Sequence, residues 1–388
     1  MTPLTAMAAL AAGFIADGSA RLEARGGTTQ GGQDPSSAGV SADLQARASN
    51  PDGALRFGLS PSAVRAQGSQ LFVRGFAEAE LRFRPGAWAR LRQAAGFGSV
   101  DLSPVAPGGG SGPVQAPGGG GPGPVQPPPG SRFVSVEESS TSLELDVAAS
   151  RRLRLAGSAA WLVSGGADAN ARASFPLLRG PLLRASAEWG ATRLDTLRLA
   201  LQAFDYRYST GRRSSVASFE AGWRTQLARG TELALSLGPG IGRTRADGQP
   251  ATTLLYAVGA ADLRSMPVRD LSVSIGTAVE PLGDPLTGEL VERGSLRASA
   301  VWDRHRLLTL TARLIGSVAL TSGTGSPTSP QAGDRYLEAE LSATVPLDPR
   351  SGLSAGLRAA MVSRPLLNQP SDQWVAFVSY MTQVPLFR

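Results

Sequence analysis

The chain has 388 residues, of which 42% are hydrophobic, a formal net charge of +7 and no cysteine. That length suffices for one large domain or two ordinary ones with a sizeable core, and the missing thiols exclude disulfides and thiolate metal sites. All 38 basic residues are arginine, and they are scattered through the chain instead of clustered with aromatics, which argues against nucleic-acid binding.

The opening MTPLTAMAALAAGFIADGSA carries a short apolar region and ends Gly18-Ser19-Ala20, as signal-peptide cleavage after Ala20 requires, but it lacks a positive n-region. Residues 1–20 therefore read either as a signal peptide or as the start of a first strand over 13–27, and residues 21–388 as one domain. No stretch approaches the roughly 18 consecutive apolar residues of a membrane helix.

Downstream, apolar and polar residues alternate with a period of two, the signature of strands whose successive side chains point to opposite faces. Ala42, Leu44, Ala46 and Ala48 oppose Asp43, Gln45 and Arg47, and Val73 to Phe83 alternate with Arg74, Glu78, Glu80 and Arg82. Ala87, Ala89 and Leu91 oppose Trp88, Arg90 and Arg92. Leu143, Leu145 and Val147 oppose Glu144 and Asp146, while Leu153, Leu155, Ala159 and Trp161 oppose Arg152, Arg154 and Ser158. The rhythm continues through Phe219, Ala221 and Trp223 against Glu220 and Arg224, and through Leu308 to Leu314 against Thr309, Thr311 and Arg313. It ends with Leu337 to Val345 against Glu338 and Glu340, and Leu353 to Met361 against Arg358. No segment of helical period interrupts the series, so the fold class is all-β.

Short polar turns (NPDG at 50, RPGA at 84, SRR at 150, LRGP at 178, ARGT at 228, MPVRD at 266, DRHR at 303, PLDPRSG at 346) alternate with longer loops, among them 26–40, 59–70, 245–253, 280–294, 321–334 and 363–372. Short turns at one end and long loops at the other are what a transmembrane β-barrel shows. The longest connection, Val105 to Gly130, is so rich in Gly and Pro that it cannot bury a core, and it reads as a disordered loop inside one barrel because the strand rhythm is the same on both sides of it.

Counting strands gives about 18, with 16 also allowed, if 13–27 is a strand and Leu183 to Tyr208 is one long strand. The stretch ATRLDT could instead be a turn, and dropping the first strand then restores 18 with inverted sidedness of the N-terminal half. In a single antiparallel up-and-down barrel the apolar parity faces lipid and the charged parity faces a lumen, since a closed barrel pairs every backbone group without an exposed edge. Trp161, Trp189, Trp223, Trp302 and Trp374 fall near strand ends on the apolar parity, where interfacial girdles belong.

The final strand QWVAFVSYMTQVPLFR, with Tyr380, Val384 and Leu386 alternating and an aromatic at Phe387, resembles the C-terminal assembly signal of bacterial outer-membrane β-barrel proteins. It departs from that pattern by ending in Arg388. In size, strand count and arginine-rich lumen the chain also resembles the 18-stranded integral barrels that accompany periplasmic polysaccharide-export proteins. The resemblance implies residence in the bacterial outer membrane, contact with its lipid, assembly by the barrel-assembly machinery through the C-terminal strand, and periplasmic export proteins as partners. It implies no cofactor.

Eighteen strands about 4.8 Å apart at a tilt of about 40° enclose a backbone diameter of roughly 35 Å, wide enough for a pore. The expected lumen-lining residues are Arg74, Glu78, Glu80, Arg82, Arg90, Arg92, Arg152, Arg154, Arg184, Glu188, Glu220, Arg224, Arg297, Arg313, Glu338, Glu340 and Arg358. They form either a selectivity wall, which the arginine excess would bias towards anions, or cross-strand ion pairs that hold the inner face together. His305, the single histidine, lies in the turn at 303 and gives a hydrolase triad little support. Gly238-Pro239-Gly240-Ile241-Gly242 precedes no helix and reads as strand glycines, not a phosphate loop. Three functions remain open: a conduit exporting a polymer such as exopolysaccharide, a non-conducting structural barrel that docks envelope partners, and an anion-preferring porin, the loop 105–130 being a candidate plug.

Overall fold

The computed structural model describes residues 14–29, 37–65, 69–101, 133–283, 289–304, 307–322, 335–363 and 371–387. They form 18 antiparallel strands: β1 (Phe14–Thr29), β2 (Ser37–Asn50), β3 (Gly53–Arg65), β4 (Ser69–Arg84), β5 (Ala87–Asp101), β6 (Phe133–Ala148), β7 (Leu153–Gly166), β8 (Leu178–Gly190), β9 (Asp195–Tyr208), β10 (Arg213–Ala228), β11 (Thr231–Arg245), β12 (Thr252–Val268), β13 (Leu271–Gly283), β14 (Leu290–Arg304), β15 (Leu308–Ser322), β16 (Arg335–Asp348), β17 (Ser351–Ser363) and β18 (Ser371–Phe387). Each strand pairs with its sequence neighbours, and β1 pairs with β18 from Asp17↔Pro385 to Thr29↔Gln373, which closes the sheet into a barrel. One short helix, α1 (Ala169–Ser174), lies between β7 and β8 and is capped by Asp168, whose carboxylate accepts from the Ala171 N–H at 2.8 Å.

Period-two patterning decides which way each strand faces. Leu91 stands opposite Leu143 and Ala79, and Leu201 opposite Ala185 and Phe219, so the apolar residues of neighbouring strands share one surface. On that surface Leu71, Leu81, Leu237, Leu341 and Leu357 are each at least 59% exposed, an inversion of the soluble rule that fits a wall facing lipid. Trp189, level with Leu197 and through it with Trp223, and Trp302, level with Leu271, lie towards the short-turn end. Trp161 and Trp374 lie towards the opposite end, so two aromatic levels flank the apolar band.

The ends of the barrel differ as expected. Connections such as 51–52, 85–86, 229–230, 269–270 and 349–350 hold two residues each, whereas 30–36, 167–177, 323–334 and 364–370 are longer. In the turn at 85–86, Pro85 presets φ and Gly86, at φ +78°, takes the position where a side chain is strained.

Three local expectations change. The long loop expected over 59–70 is mostly strand, β3 running to Arg65 and β4 starting at Ser69, so three residues connect them. Leu183 to Tyr208 is not one strand: residues 191–194 reverse the chain, with Thr192 Oγ1 accepting the N–H groups of Leu194 at 3.1 Å and Asp195 at 2.9 Å. The anticipated turn at 178 is instead the start of β8, and Gly180 and Pro181 fall where the ladder to β9 is interrupted between Arg179↔Arg207 and Leu182↔Phe204. A Cβ at Gly180 would stand 2.0 Å from the Asp205 carbonyl oxygen, so close approach of β9 explains the glycine there. One turn lost and one gained leave the count at 18.

Candidate functional site

The charged parity is built from antiparallel pairs, which set opposite residues within side-chain reach. Across β3 to β6 the register aligns Arg56 with Glu78, Glu78 with Arg92, Glu80 with Arg90 and Arg90 with Glu144. Arg90 is the hub: its guanidinium reaches Glu80 at 3.0 Å, Glu78 at 3.4 Å and Glu144 at 3.5 Å, and stacks 4.7 Å from the Trp88 ring centroid. Arg56 adds a bond to Glu78 at 3.2 Å, Arg82 one to Glu80 at 3.1 Å, and Arg74 one to Glu138 at 2.5 Å. The Glu78 and Glu80 side chains are only 8% exposed, so each needs the guanidiniums around it. Arg92 lies over the Phe76 ring, which itself covers Gly58, a position where any Cβ would collide with that ring.

A second cluster spans β15 to β17, where Arg313 faces Glu340 and Glu340 faces Arg358. Arg358 bonds Glu340 at 2.5 Å and Glu338 at 3.6 Å, and Tyr336 donates its hydroxyl to Glu338. Arg154 pairs with Asp146 at 2.7 Å, Arg198 with Glu188 at 3.9 Å and Arg224 with Glu232 at 3.2 Å. Arg152 departs from the expected strand position: it belongs to the turn after β6, and its N–H donates to Ser150 Oγ at 3.2 Å.

Between β5 and β14 the barrel holds a cavity of about 740 Å³, lined by seven carboxylates (Glu144, Asp146, Glu188, Glu220, Glu232, Asp262, Glu280) and five guanidiniums (Arg184, Arg198, Arg224, Arg264, Arg297). Glu232, Asp262 and Glu280, with Arg198 and Arg264, were not among the residues singled out from sequence. They remove, in this region, the arginine excess expected there: with Arg90 pairing Glu144 and Arg154 pairing Asp146, carboxylates and guanidiniums number seven each. Their signal was available: each stands on the same parity as a neighbour that was chosen.

The charged parity is not charged along its whole length. Towards the long-loop end, Leu162, Leu182, Phe204, Val216 and Tyr256 take its positions and form a buried cluster with Leu290 from the start of β14. Phe72, Val134 and Val136 do the same beside α1, packing on Ala171 and Phe175. The β9 and β13 walls, four strands apart in the sheet, meet here: a Cβ on Gly283 would stand 2.3 Å from the Tyr208 hydroxyl. Arg212, from the β9–β10 connection, bonds Glu289, just before β14, at 2.5 Å and clasps the two walls together. The cavity is thus polar along its walls and apolar at its long-loop end. His305 and the loop 105–130 lie outside the described residues, as do the side chains of Val384, Leu386 and Phe387. Among the described residues, no group of three or more His, Asp or Glu could hold a metal ion.

The same architecture occurs in solved structures. OpdO and OccK2 (OpdF) of Pseudomonas aeruginosa, the latter in complex with glucuronate, each superpose with a TM-score of 0.51 at 14% and 13% identity, over 96% of this chain and 98% of theirs. OpdL of Pseudomonas aeruginosa superposes at 0.50 with 10% identity, over 97% of this chain and 100% of its own. At these identities the likeness is one of fold. No curated protein sequence matches. The model of the EpsX exopolysaccharide export family matches residues 74–383, from within β4 to within β18, and with four-fifths of its length so matched the chain, an outer-membrane type β-barrel channel, belongs to that family.

Proposed function

We propose that the barrel is the outer-membrane conduit through which an exopolysaccharide leaves the cell. The observation that carries this reading is the family match over residues 74–383, supported by a barrel of 18 strands enclosing a polar cavity. In this reading the charged residues of the inner parity, from Arg74, Glu78, Glu80, Arg82, Arg90 and Arg92 round to Arg313, Glu338, Glu340 and Arg358, line the conduit. Their ion pairs keep its wall rigid while its unpaired members meet the cargo. Lipid contacts the Leu-rich outer parity, the C-terminal strand β18 addresses the chain to the assembly machinery, and periplasmic export proteins deliver polymer to the short-turn end.

The clasped apolar end favours a conduit that opens on demand over a permanently open pore. Cells lacking this chain should lose surface polysaccharide and retain polymer inside the outer membrane. Normal surface polysaccharide combined with impaired uptake of small solutes would establish the porin reading instead.

A further inference from the structure

The cavity wall carries unpaired groups of both signs. Among the described residues, Glu220 accepts from Ser236 Oγ at 2.8 Å and, like Asp262, forms no ion pair. Arg184 donates to Gln202 Oε1 at 3.2 Å and feels the charge of Glu280, whereas Arg297, opposite Gly276, forms no ion pair among the described residues. Gly276 lies between Asp262 and Arg297 of the neighbouring strands, and the Asp262 carboxylate reaches over it.

Resting on the conduit reading, we infer that this wall is a binding track for an uncharged, polyhydroxylated saccharide segment, and that it disfavours a uronate-rich chain. A polyanion would satisfy Arg297 but be repelled by Glu220 and Asp262, neither of which has a guanidinium partner among the described residues. A polycation meets the converse conflict. A hydroxyl both donates and accepts, so vicinal hydroxyls satisfy carboxylates and guanidiniums side by side without a charge of their own. The volume of about 740 Å³ falls in the range of sites that hold ligands of several rings.

The test is calorimetric titration of the full chain in detergent with a linear glucan oligomer and with an oligogalacturonate of equal length. The glucan should bind at least about tenfold more tightly, with an affinity unchanged between low and physiological ionic strength because no net charge is exchanged. Glu220→Ala and Asp262→Ala should each weaken it about five- to tenfold, the loss of one charge-assisted hydrogen bond, while Arg47→Ala, on β2 outside the cavity, leaves it unchanged. Tighter binding of the oligogalacturonate, binding of neither, or indifference to both substitutions would overturn the proposal. Because the readout is binding by purified protein, it stands apart from the secretion assay, whose failure alone would remove the conduit reading.

Discussion

At the scale of the residue, parity decides cost. Leu310 is level with Trp302 and Ala343, and Ala339 with Leu314 and Ala359, all on the apolar surface, whereas Thr311 faces Val301 and Ser342 on the other. Arginine at Leu314 or Ala339 should destabilise the barrel by about 2–4 kcal/mol, because a guanidinium placed in hydrocarbon near mid-strand has no water to hydrate it. The same substitution at Thr311 or Ser342 should cost under about 1 kcal/mol. Urea-dependent unfolding in lipid vesicles measures both, and equal tolerance on the two parities would invert the inside and the outside. A companion prediction concerns the hub: Arg90→Ala leaves the mostly buried Glu78 and Glu80 with one guanidinium each, Arg56 and Arg82, and should cost about 2 kcal/mol. Arg92→Ala, which loses a ring contact and no ion pair, should cost about 1 kcal/mol or less. Comparable costs would mean that the network is solvated and carries no stability.

At the scale of the element, strands were legible because the period of two needs no partner to be seen, and turns were legible where Pro-Gly or Asp-Gly chemistry marks them. The two misplaced turns differ in cause: the one expected at 178 rests on Gly180-Pro181, which lie inside β8, and the one at 191–194 goes unseen because parity does not register a reversal of the chain. Trp189 and Leu197 are both odd and both outward, so the turn at 191–194 leaves the rhythm intact although β8 ends and β9 begins between them. What marks that turn is the hydroxyl of Thr192, which accepts two backbone N–H groups and donates to Asp195 at 2.6 Å. Thr192→Val keeps the shape and removes all three bonds. It should slow closure of the β8–β9 hairpin and lower stability by about 1 kcal/mol, seen as an earlier urea midpoint, whereas Thr192→Ser should restore the wild-type value. A midpoint that Thr192→Val leaves unmoved would show that strand pairing alone fixes the reversal. The charged residues of the wall were legible as a pattern and only partly as a set. Asp262 and Glu280 were passed over because the strands around them are rich in Ala, Gly and Ser, where the alternation is faint.

At the scale of the whole molecule, the feature least visible in sequence is the closure at the long-loop end, since it depends on strands far apart meeting across the barrel. Its trace is local: Trp161-Leu162, Leu182-Leu183 and Ala203-Phe204 are places where both parities become apolar near a strand end, as happens where an inner face is packed instead of wetted. This closure gives the last prediction. The clasp between Arg212 and Glu289 holds Leu290, 1% exposed, against Tyr256 and Phe204, and a cavity narrowed there conducts less than an open barrel of 18 strands. Removing the clasp by Glu289→Ala leaves Arg212 facing water, which it tolerates, and releases the start of β14 from β9 and β10. Adding Leu290→Ala removes the apolar contact as well. In planar bilayers the intact protein should show small or rare openings, Glu289→Ala should lengthen them, and the double variant should approach the steady conductance of a wide pore. Deleting residues 105–130 in the same recordings separates the clasp from that loop: conductance released by the deletion alone would place the barrier in the loop, and steady large conductance of the intact protein would show that the apolar end does not narrow the path.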